Sequence, residues 1–442
     1  MSKISLGIVS QTPVVRLLQK QEGDTIRLSD LSEREYAYTA GGVAPLVKAQ
    51  LEQLEGMGAL RKAIWFSLNP SAPKNIILSK VTRAVSIYLE DESSRDYVDF
   101  KEEVWKNIHN LNSRAFTIKE YLGYFRYNSK LGKLMLKDYE DINLFEIHDF
   151  QQMLLGAMLG PSFPTILRWH GPFVPEILNK KIRKFIINGL EGNDAVIVST
   201  KRDLEGLIRG GYRGSAYQLY PHIDNRVWNR TSRNRLNAFS HRFNIKPDDF
   251  LVINVARMDP IKSQDDLIKA VAMAGNKRIK LMLIGGSSFT TNALGHSKGA
   301  LWLDKLKKLA RKLKIEDRVI FAGTLTHSDL ECAYTRADLF ALPSRMEGFG
   351  LAVVEGWLYD TPSIVSEGAG VSELVTEGFN GFTFRAGDTK SLAQKITRLF
   401  NGNGRLLSDM GTNAKNMAKA CYVTTTIGTI KKIYWDTIES FG

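Results

Sequence analysis

Residues 342–355 read Leu342-Pro343-Ser344-Arg345-Met346-Glu347-Gly348-Phe349-Gly350-Leu351-Ala352-Val353-Val354-Glu355. The run Asp338 to Leu342 leading into them reads as a strand, and the residues from Leu351 onward read as the opening of a helix. Gly348 and Gly350 let the backbone between the two approach a ligand closely, and the amides at a helix start have no intrahelical acceptor, so this turn suits a phosphate. Glu347 falls in the loop, and Glu355 falls about one and a half turns into the helix. Two carboxylates so placed reach different hydroxyls of one ligand, one on a sugar and the other on a ribose. A Glu-x7-Glu spacing is unspecific by itself; its surroundings carry the weight. Upstream, the strand Leu251-Val252-Ile253-Asn254-Val255 runs into Ala256-Arg257-Met258-Asp259-Pro260-Ile261-Lys262, ahead of a helix from Gln264. Arg257 and Lys262 then stand at the carboxyl end of a strand, where two cations neutralise a diphosphate leaving group.

Working outward, short apolar and often β-branched runs alternate with longer amphipathic stretches, the pattern of parallel strands covered by helices on both faces. The first half supplies Ile4 to Val9, Ile142 to Ile147, Thr165 to Trp169, Ala195 to Val198 and Ala216 to Tyr220. The second half supplies Phe250 to Val255, Ile279 to Ile284, Val319 to Phe321, Asp338 to Leu342 and Pro362 to Val365. The reading is two successive doubly wound α/β domains, 1–225 and 226–442, joined through the polar, Arg-rich stretch from Pro221 to Arg235 and a helix from Leu236 to Phe243. Ligands of open α/β sheets bind beyond the carboxyl ends of the strands, so two such sheets are expected to face a central cleft. The last segment, Thr426 to Phe441, reads as a helix with apolar Ile427, Ile430, Ile433, Tyr434 and Ile438, its aromatics packing in a core. Its packing back on the N-terminal domain is left open.

The bulk properties fit a folded enzyme: 442 residues exceed one ordinary domain, with 43% hydrophobic and 24% charged residues. Sixty basic against 47 acidic residues leave a formal charge of +13, which favours anionic partners without choosing among them. Much of the excess sits in helical runs, Lys180, Lys181, Arg183 and Lys184, and Lys305, Lys307, Lys308, Arg311 and Lys312. These are read as solvated helix faces, with peripheral membrane contact left open. Basic residues interleaved with aromatics on a platform, as nucleic-acid binding needs, are not found. Cys332 and Cys421 are the only cysteines, which excludes a disulfide framework, and the N-terminal residues have no long apolar segment, so a cytoplasmic location is expected.

The second half resembles the GT-B glycosyltransferases of family 4 over roughly Phe250 to Asp388. Beyond the segments above, the likeness includes Gly368-Ala369-Gly370-Val371-Ser372-Glu373 and Gly378-Phe379-Asn380-Gly381-Phe382. That resemblance implies a retaining transferase using a nucleoside-diphosphate sugar without a metal-binding Asp-x-Asp. It makes Arg257 and Lys262 the diphosphate ligands and Glu347 and Glu355 the paired glutamates. Gly348, Phe349, Gly350 and Leu351 then line the donor site, with Gly286 at the nucleotide.

In the first half, Phe145-Glu146-Ile147-His148-Asp149-Phe150 runs from strand to helix, and Leu167-Arg168-Trp169-His170-Gly171 ends the next strand, so His148, Asp149 and His170 should share one sheet edge. These segments resemble trehalose-6-phosphate synthases, whose pattern is His-Asp-Tyr-His-Leu-Met-Leu-Leu-Pro-Ala-Met-Leu followed by Leu-His-Ile-Pro-Phe-Pro. The likeness extends to Ala40-Gly41-Gly42-Val43 and to Tyr127-Asn128. It implies Asp149 and His170 at the reacting sugars, and Gly41, Gly42, Tyr127 and His148 on the acceptor side. Those synthases carry an Asn-Arg after the first strand, its arginine gripping the acceptor phosphate. Here Gln11-Thr12 follows Val9-Ser10, and the nearest arginine is Arg16. A second-half arginine of the family is replaced by Ser287 to Gly299, where Lys298 is the available cation.

The expected function is transfer of glucose from UDP-glucose to glucose 6-phosphate, giving trehalose 6-phosphate and UDP. The alternatives are a free-glucose acceptor or a lipid- or glycan-linked one. Closure of the domains would exclude water from the reaction. No cofactor or essential metal is expected, and no nucleic-acid partner. The nucleotide base and any homo-oligomer stay open.

Overall fold

The computed structural model describes residues 3–441 except 20, 22, 40, 70, 71, 90, 138, 140, 161, 287–297 and 403, and at 91–93 and 298 it describes the backbone alone. Most of the Ser287 to Gly299 segment, with the Lys298 side chain, therefore lies outside the described residues. Two compact units emerge: Met1–Ile223 with Val423–Gly442, and Asp224–Tyr422. The junction expected at 225/226 lies at 223/224, and the C-terminal helix is part of the first unit.

The strands of the first unit are β1 (Ile4–Ser10), β2 (Val15–Leu17), β3 (Thr25–Arg27), β4 (Tyr36–Tyr38), β5 (Leu60–Leu68), β6 (Asn75–Ile77), β7 (Thr82–Ile87), β8 (Leu144–His148), β9 (Thr165–Trp169), β10 (Ala195–Val198) and β11 (Ser215–Gln218). Among the described residues nine of them form one sheet in the order β11-β10-β9-β8-β1-β5-β7-β6-β3, while β2 and β4 make a separate antiparallel ribbon. Every pair in the large sheet is parallel except β6 with β7. A parallel sheet needs cover on both faces, and the alternation along β1 supplies it. Leu6 and Ile8 join a core with Val47, Trp65 and Ile430, whereas Val9 joins one with Phe66, Phe100, Tyr124 and Trp169. Helix Val43–Gly56 and the C-terminal helix Val423–Phe441 cover the first face. Helices Asp91–Ile108 and Ile118–Met135 contribute aromatic residues to the second; a capping box between Thr117 and Glu120 starts the latter.

The second unit holds β12 (Phe250–Val255), β13 (Ile279–Ile284), β14 (Val319–Gly323), β15 (Leu339–Leu342), β16 (Ser363–Ser366) and β17 (Gly381–Phe384). Their order is β14-β13-β12-β15-β16-β17, parallel throughout. Strands β9, β10, β12 and β13 stand where the apolar runs put them, and the other expected strands lie within one or two residues. The linker is not a loose tether. Asn229 N–H donates to Glu331 (2.7 Å), Tyr359 donates to Asn229 O (3.0 Å), and Trp228 stacks obliquely on His327 (4.5 Å between centroids). Among the described residues no helix is long and apolar enough to cross a membrane.

Candidate active site

In the second sheet the chain runs outward in opposite directions from β12 and β15, which makes their boundary the switch point where open α/β sheets hold ligands beyond the strand ends. Strand β12 delivers Arg257 to Lys262 there, and β15 delivers residues 343–350. A short 3-10 turn, Pro260–Lys262, is capped by Asp259, whose carboxylate accepts from Ile261 N–H (3.1 Å). That turn swings Lys262 inward: it is 9% exposed, and its ammonium is ion-paired with Glu347. Ser344 Oγ donates to the same carboxylate oxygen (3.2 Å).

The Glu-Gly-Phe-Gly loop is threaded between its neighbours by main-chain bonds. Arg345 N–H donates to Ile261 O (2.8 Å), Glu347 N–H to Gly368 O (3.0 Å), Gly370 N–H to Glu347 O (3.2 Å) and Val371 N–H to Phe349 O (2.9 Å). The Arg345 guanidinium adds a bond to Asp266 (2.6 Å). Gly350 turns the loop into helix Leu351–Trp357 at φ +106°, and a Cβ there would stand 2.7 Å from Leu342. Phe349 and Gly348 are buried in this construction and Leu351 is half-buried, so these three shape the loop. Gly286, at the end of β13, accepts from Met258 N–H (3.0 Å), bringing that strand end against the Arg257 turn.

Three features of these residues go beyond what their sequence positions disclose. Arg257 is exposed while Lys262 is buried and already paired, so the two cations are not equivalent. The helix after Gly350 has only seven residues, too few aligned peptides for a strong field, which moves the electrostatic burden to the side chains. Glu355 lies in that helix with one carboxylate oxygen, Oε2, accepting from the Tyr334 hydroxyl (2.7 Å). Burial raises the Glu355 pKa, opposed by that bond and by His327. Tyr334 in turn stacks with Tyr359 (5.7 Å between centroids), so Glu355 is held against an aromatic wall that its sequence spacing does not disclose.

In the first sheet the corresponding switch point separates β8 from β1. Strand β8 ends in His148, and Asp149 follows at φ +64°, ψ 175°, a conformation that costs a residue with a side chain on the order of 1–3 kcal/mol. The surroundings enforce it: Asp149 N–H donates to Arg168 O (2.9 Å), and its carboxylate accepts from His170 N–H (2.8 Å) and from Gly171 N–H. Burial nevertheless raises the Asp149 carboxyl to about 6, with the two amide bonds pulling the other way. His148 Nδ1 and His170 Nε2 share a hydrogen bond (2.9 Å), their rings nearly parallel at 13°. Burial pushes the pKa of both well below the ordinary histidine value, Arg168 reinforcing the shift at each and His148 at His170. His148, Asp149 and His170 are thus brought to one edge.

The other acceptor-side residues fare differently. Gly41 (φ +75°) and Gly42 (φ +69°) are exposed and open helix Val43–Gly56. Arg16 sits in β2, opposite Ala37 in the ribbon that leads toward those glycines, and not on the turn after β1. Tyr127 is a core residue: it is 0% exposed, with its ring 4.5 Å from that of Tyr97. Tyr-Asn stands on the buried face of its helix, so any influence of Tyr127 passes through Gln152. The Gln152 amide accepts from Tyr127 Oη (2.9 Å) and Gln11 N–H (2.9 Å) and donates to His148 O (2.7 Å), tying the ends of β1 and β8 together. Gln152, Ser344 and Tyr334 are site-shaping residues that spacing alone misses.

Residues 237–417 match the family described as Glycosyl transferases group 1, so the second unit carries a group 1 glycosyltransferase domain. A D-inositol 3-phosphate glycosyltransferase of Mycolicibacterium smegmatis is 29% identical over 217 residues, 49% of this chain and 47% of that protein. The chain therefore spans about half the length of that curated relative. Among solved structures, the trehalose-6-phosphate synthase OtsA superposes with a TM-score of 0.79 at 14% identity, over 97% of this chain and 98% of the other. Anabaena HepE, in complex with UDP and glucose, does so with a TM-score of 0.71 at 17% identity, over 98% and 100%. The fold is of the GT-B type, with two Rossmann-like α/β domains.

Proposed function

We propose, from the premise of a group 1 glycosyltransferase domain in a GT-B fold, that the protein is a retaining glucosyltransferase. In this reading it moves glucose from UDP-glucose to glucose 6-phosphate and forms trehalose 6-phosphate. The observation that carries the donor half is Lys262, buried and paired with Glu347 at the β12/β15 switch point. Departure of the nucleotide develops charge on the diphosphate, and a cation held in a low-dielectric setting stabilises it far more than one in water. Lys262 is the fixed cation and Arg257 the exposed one that closes on the diphosphate from solvent. Glu347 orients Lys262 and reaches the moving sugar, and Glu355 takes the ribose. The positive charge comes from side chains, without a divalent metal. The departing phosphate oxygen receives the acceptor proton, so no side-chain base is required.

Asp149, His148 and His170 support an acceptor site on the first unit. A phosphorylated acceptor would take its counter-charge from Arg16, by way of the ribbon and the Gly41-Gly42 turn. The absence of a cation on the turn after β1, Gln11 to Val15, favours a second reading, with free glucose or a lipid- or glycan-linked sugar as acceptor. UDP release from UDP-glucose decides between them when measured with glucose 6-phosphate, inositol 3-phosphate and glucose in parallel. The proposal expects release with glucose 6-phosphate at least tenfold above glucose; equal rates, or release only with another acceptor, reject it.

The Asp149 carboxyl gives a pH signature. Its folded pKa is raised to about 6, so its contribution to stability is present below the ordinary carboxylate value and lost as pH rises through about 6. Function runs the other way, because the ionised form that accepts both amides fills above that pH. Activity is expected to rise through a limb near pH 6, and Asp149→Asn to flatten that limb in a kcat/KM profile. An identical limb in the variant would assign the ionisation to another group.

A further inference from the structure

Strands β8 and β9 carry, on the face packed against the C-terminal helix, residues that a buried apolar face does not ordinarily hold. Glu146 is 0% exposed, His148 1% and Arg168 2%. Two donors converge on Glu146 Oε2: Gln50 Nε2 (2.7 Å), from helix Val43–Gly56, and the Tyr434 hydroxyl, from helix Val423–Phe441. Gln50 also meets Tyr434 Oη (2.6 Å), and Arg168 Nη1 donates to Gln50 Oε1 (3.1 Å). The second oxygen, Glu146 Oε1, faces Arg168 Nη1 at 3.8 Å and His148 Nε2 at 3.7 Å. One oxygen of Glu146 thus accepts from two donors while a guanidinium stands near the other.

A carboxylate oxygen opposite His148 Nε2 favours a proton on that nitrogen, since a lone pair there would face a negative charge. His148 Nδ1 then carries the lone pair, and the 2.9 Å contact with His170 Nε2 requires the hydrogen to come from His170. In a neutral ring this leaves the lone pair of His170 on Nδ1, which has no protein partner among the described residues. We propose that the C-terminal helix, through Tyr434, Glu146 and His148, fixes the tautomer of His170 so that Nδ1 is offered as an acceptor to a sugar hydroxyl. Tyr434 and Glu146 are positioning residues in this scheme, and only its functional half rests on the acceptor-site reading above.

The test is nitrogen-15 NMR of the full-length, histidine-labelled protein, with the His170 signals assigned by His170→Gln. The wild type is expected to carry the His170 proton on Nε2. Glu146→Gln turns an amide N–H toward His148 Nε2 and inverts the chain, moving the His170 proton to Nδ1. Loss of the acceptor nitrogen is expected to lower kcat/KM for the sugar acceptor about tenfold, the scale of one hydrogen bond. Tyr434→Phe keeps the ring and removes one donor, giving a mixed tautomer and a smaller rise in acceptor KM with kcat unchanged. A wild-type spectrum with the proton on Nδ1, or an unchanged His170 tautomer in a folded Glu146→Gln protein, overturns the proposal. If Glu146→Gln does not fold, the wild-type and Tyr434→Phe spectra decide. The expected tautomer without transfer to any sugar would count against the proposed function and against the sugar contact, and would leave the tautomer relay standing.

Discussion

Lys262→Ala is expected to lower kcat by about 100-fold or more with little change in the KM for UDP-glucose. The side chain is buried, and its partner Glu347 is fixed by two main-chain bonds to the 368–370 loop, so the ammonium is already placed before any ligand arrives. A preplaced cation spends no reorganisation when the diphosphate leaves, and its removal is felt in the transition state. Glu355→Ala is the contrasting variant: it removes a contact made alike in ground and transition states, so it should raise KM and spare kcat. Steady-state kinetics on both variants check the assignment. A Lys262→Ala enzyme with kcat within threefold of wild type would move the diphosphate away from this turn.

The second large effect concerns stability. Arg168→Met leaves Glu146 in the core without its guanidinium, and removing one partner of a buried pair typically costs about 3–5 kcal/mol. The double variant Arg168→Met, Glu146→Leu removes both charges, and Gln50 and Tyr434 keep their bond to one another. It is therefore expected to be more stable than Arg168→Met alone, although it lacks two native side chains instead of one. Urea unfolding of the three proteins measures the ordering. A double variant less stable than the single would mean that Glu146 stabilises the fold even without the guanidinium, through its bonds from Gln50 and Tyr434.

Legibility from sequence followed the physics of each element. Strands β12 and β13 are sheathed on both faces, so their runs Phe250 to Val255 and Ile279 to Ile284 are nearly continuous apolar signals. Strand β5 has a comparable centre, Ala63 to Phe66, but opens with Leu60-Arg61-Lys62, and the two cations blur its start. The three-residue strands β2, β3, β4 and β6 are too short for any period to register. At the site, the strand ends carrying His148 and His170 could be read, because each is a polar residue closing an apolar run. Glu146 and Arg168 were readable as anomalies, charges inside such runs, but their partners could not be found from spacing. Tyr434 lies 288 positions from Glu146 and reads as one more apolar residue on its helix. Tyr127 differs for the converse reason: Tyr127-Asn128 resembles an acceptor-binding Tyr-Asn of the trehalose-6-phosphate synthases, yet Tyr127 falls on the helix face packed against Tyr97.

The main chain leaves the first unit after Ile223 and re-enters it at Val423, whose N–H bonds to Ile223 O at 2.9 Å. During synthesis, β8 and β9 are made long before the segment that covers them, and the whole second unit emerges in between. Until Tyr434 has left the ribosome, the nascent first unit has an open flank with Glu146 lacking one of its two donors, so this flank closes only once the whole second unit has been made.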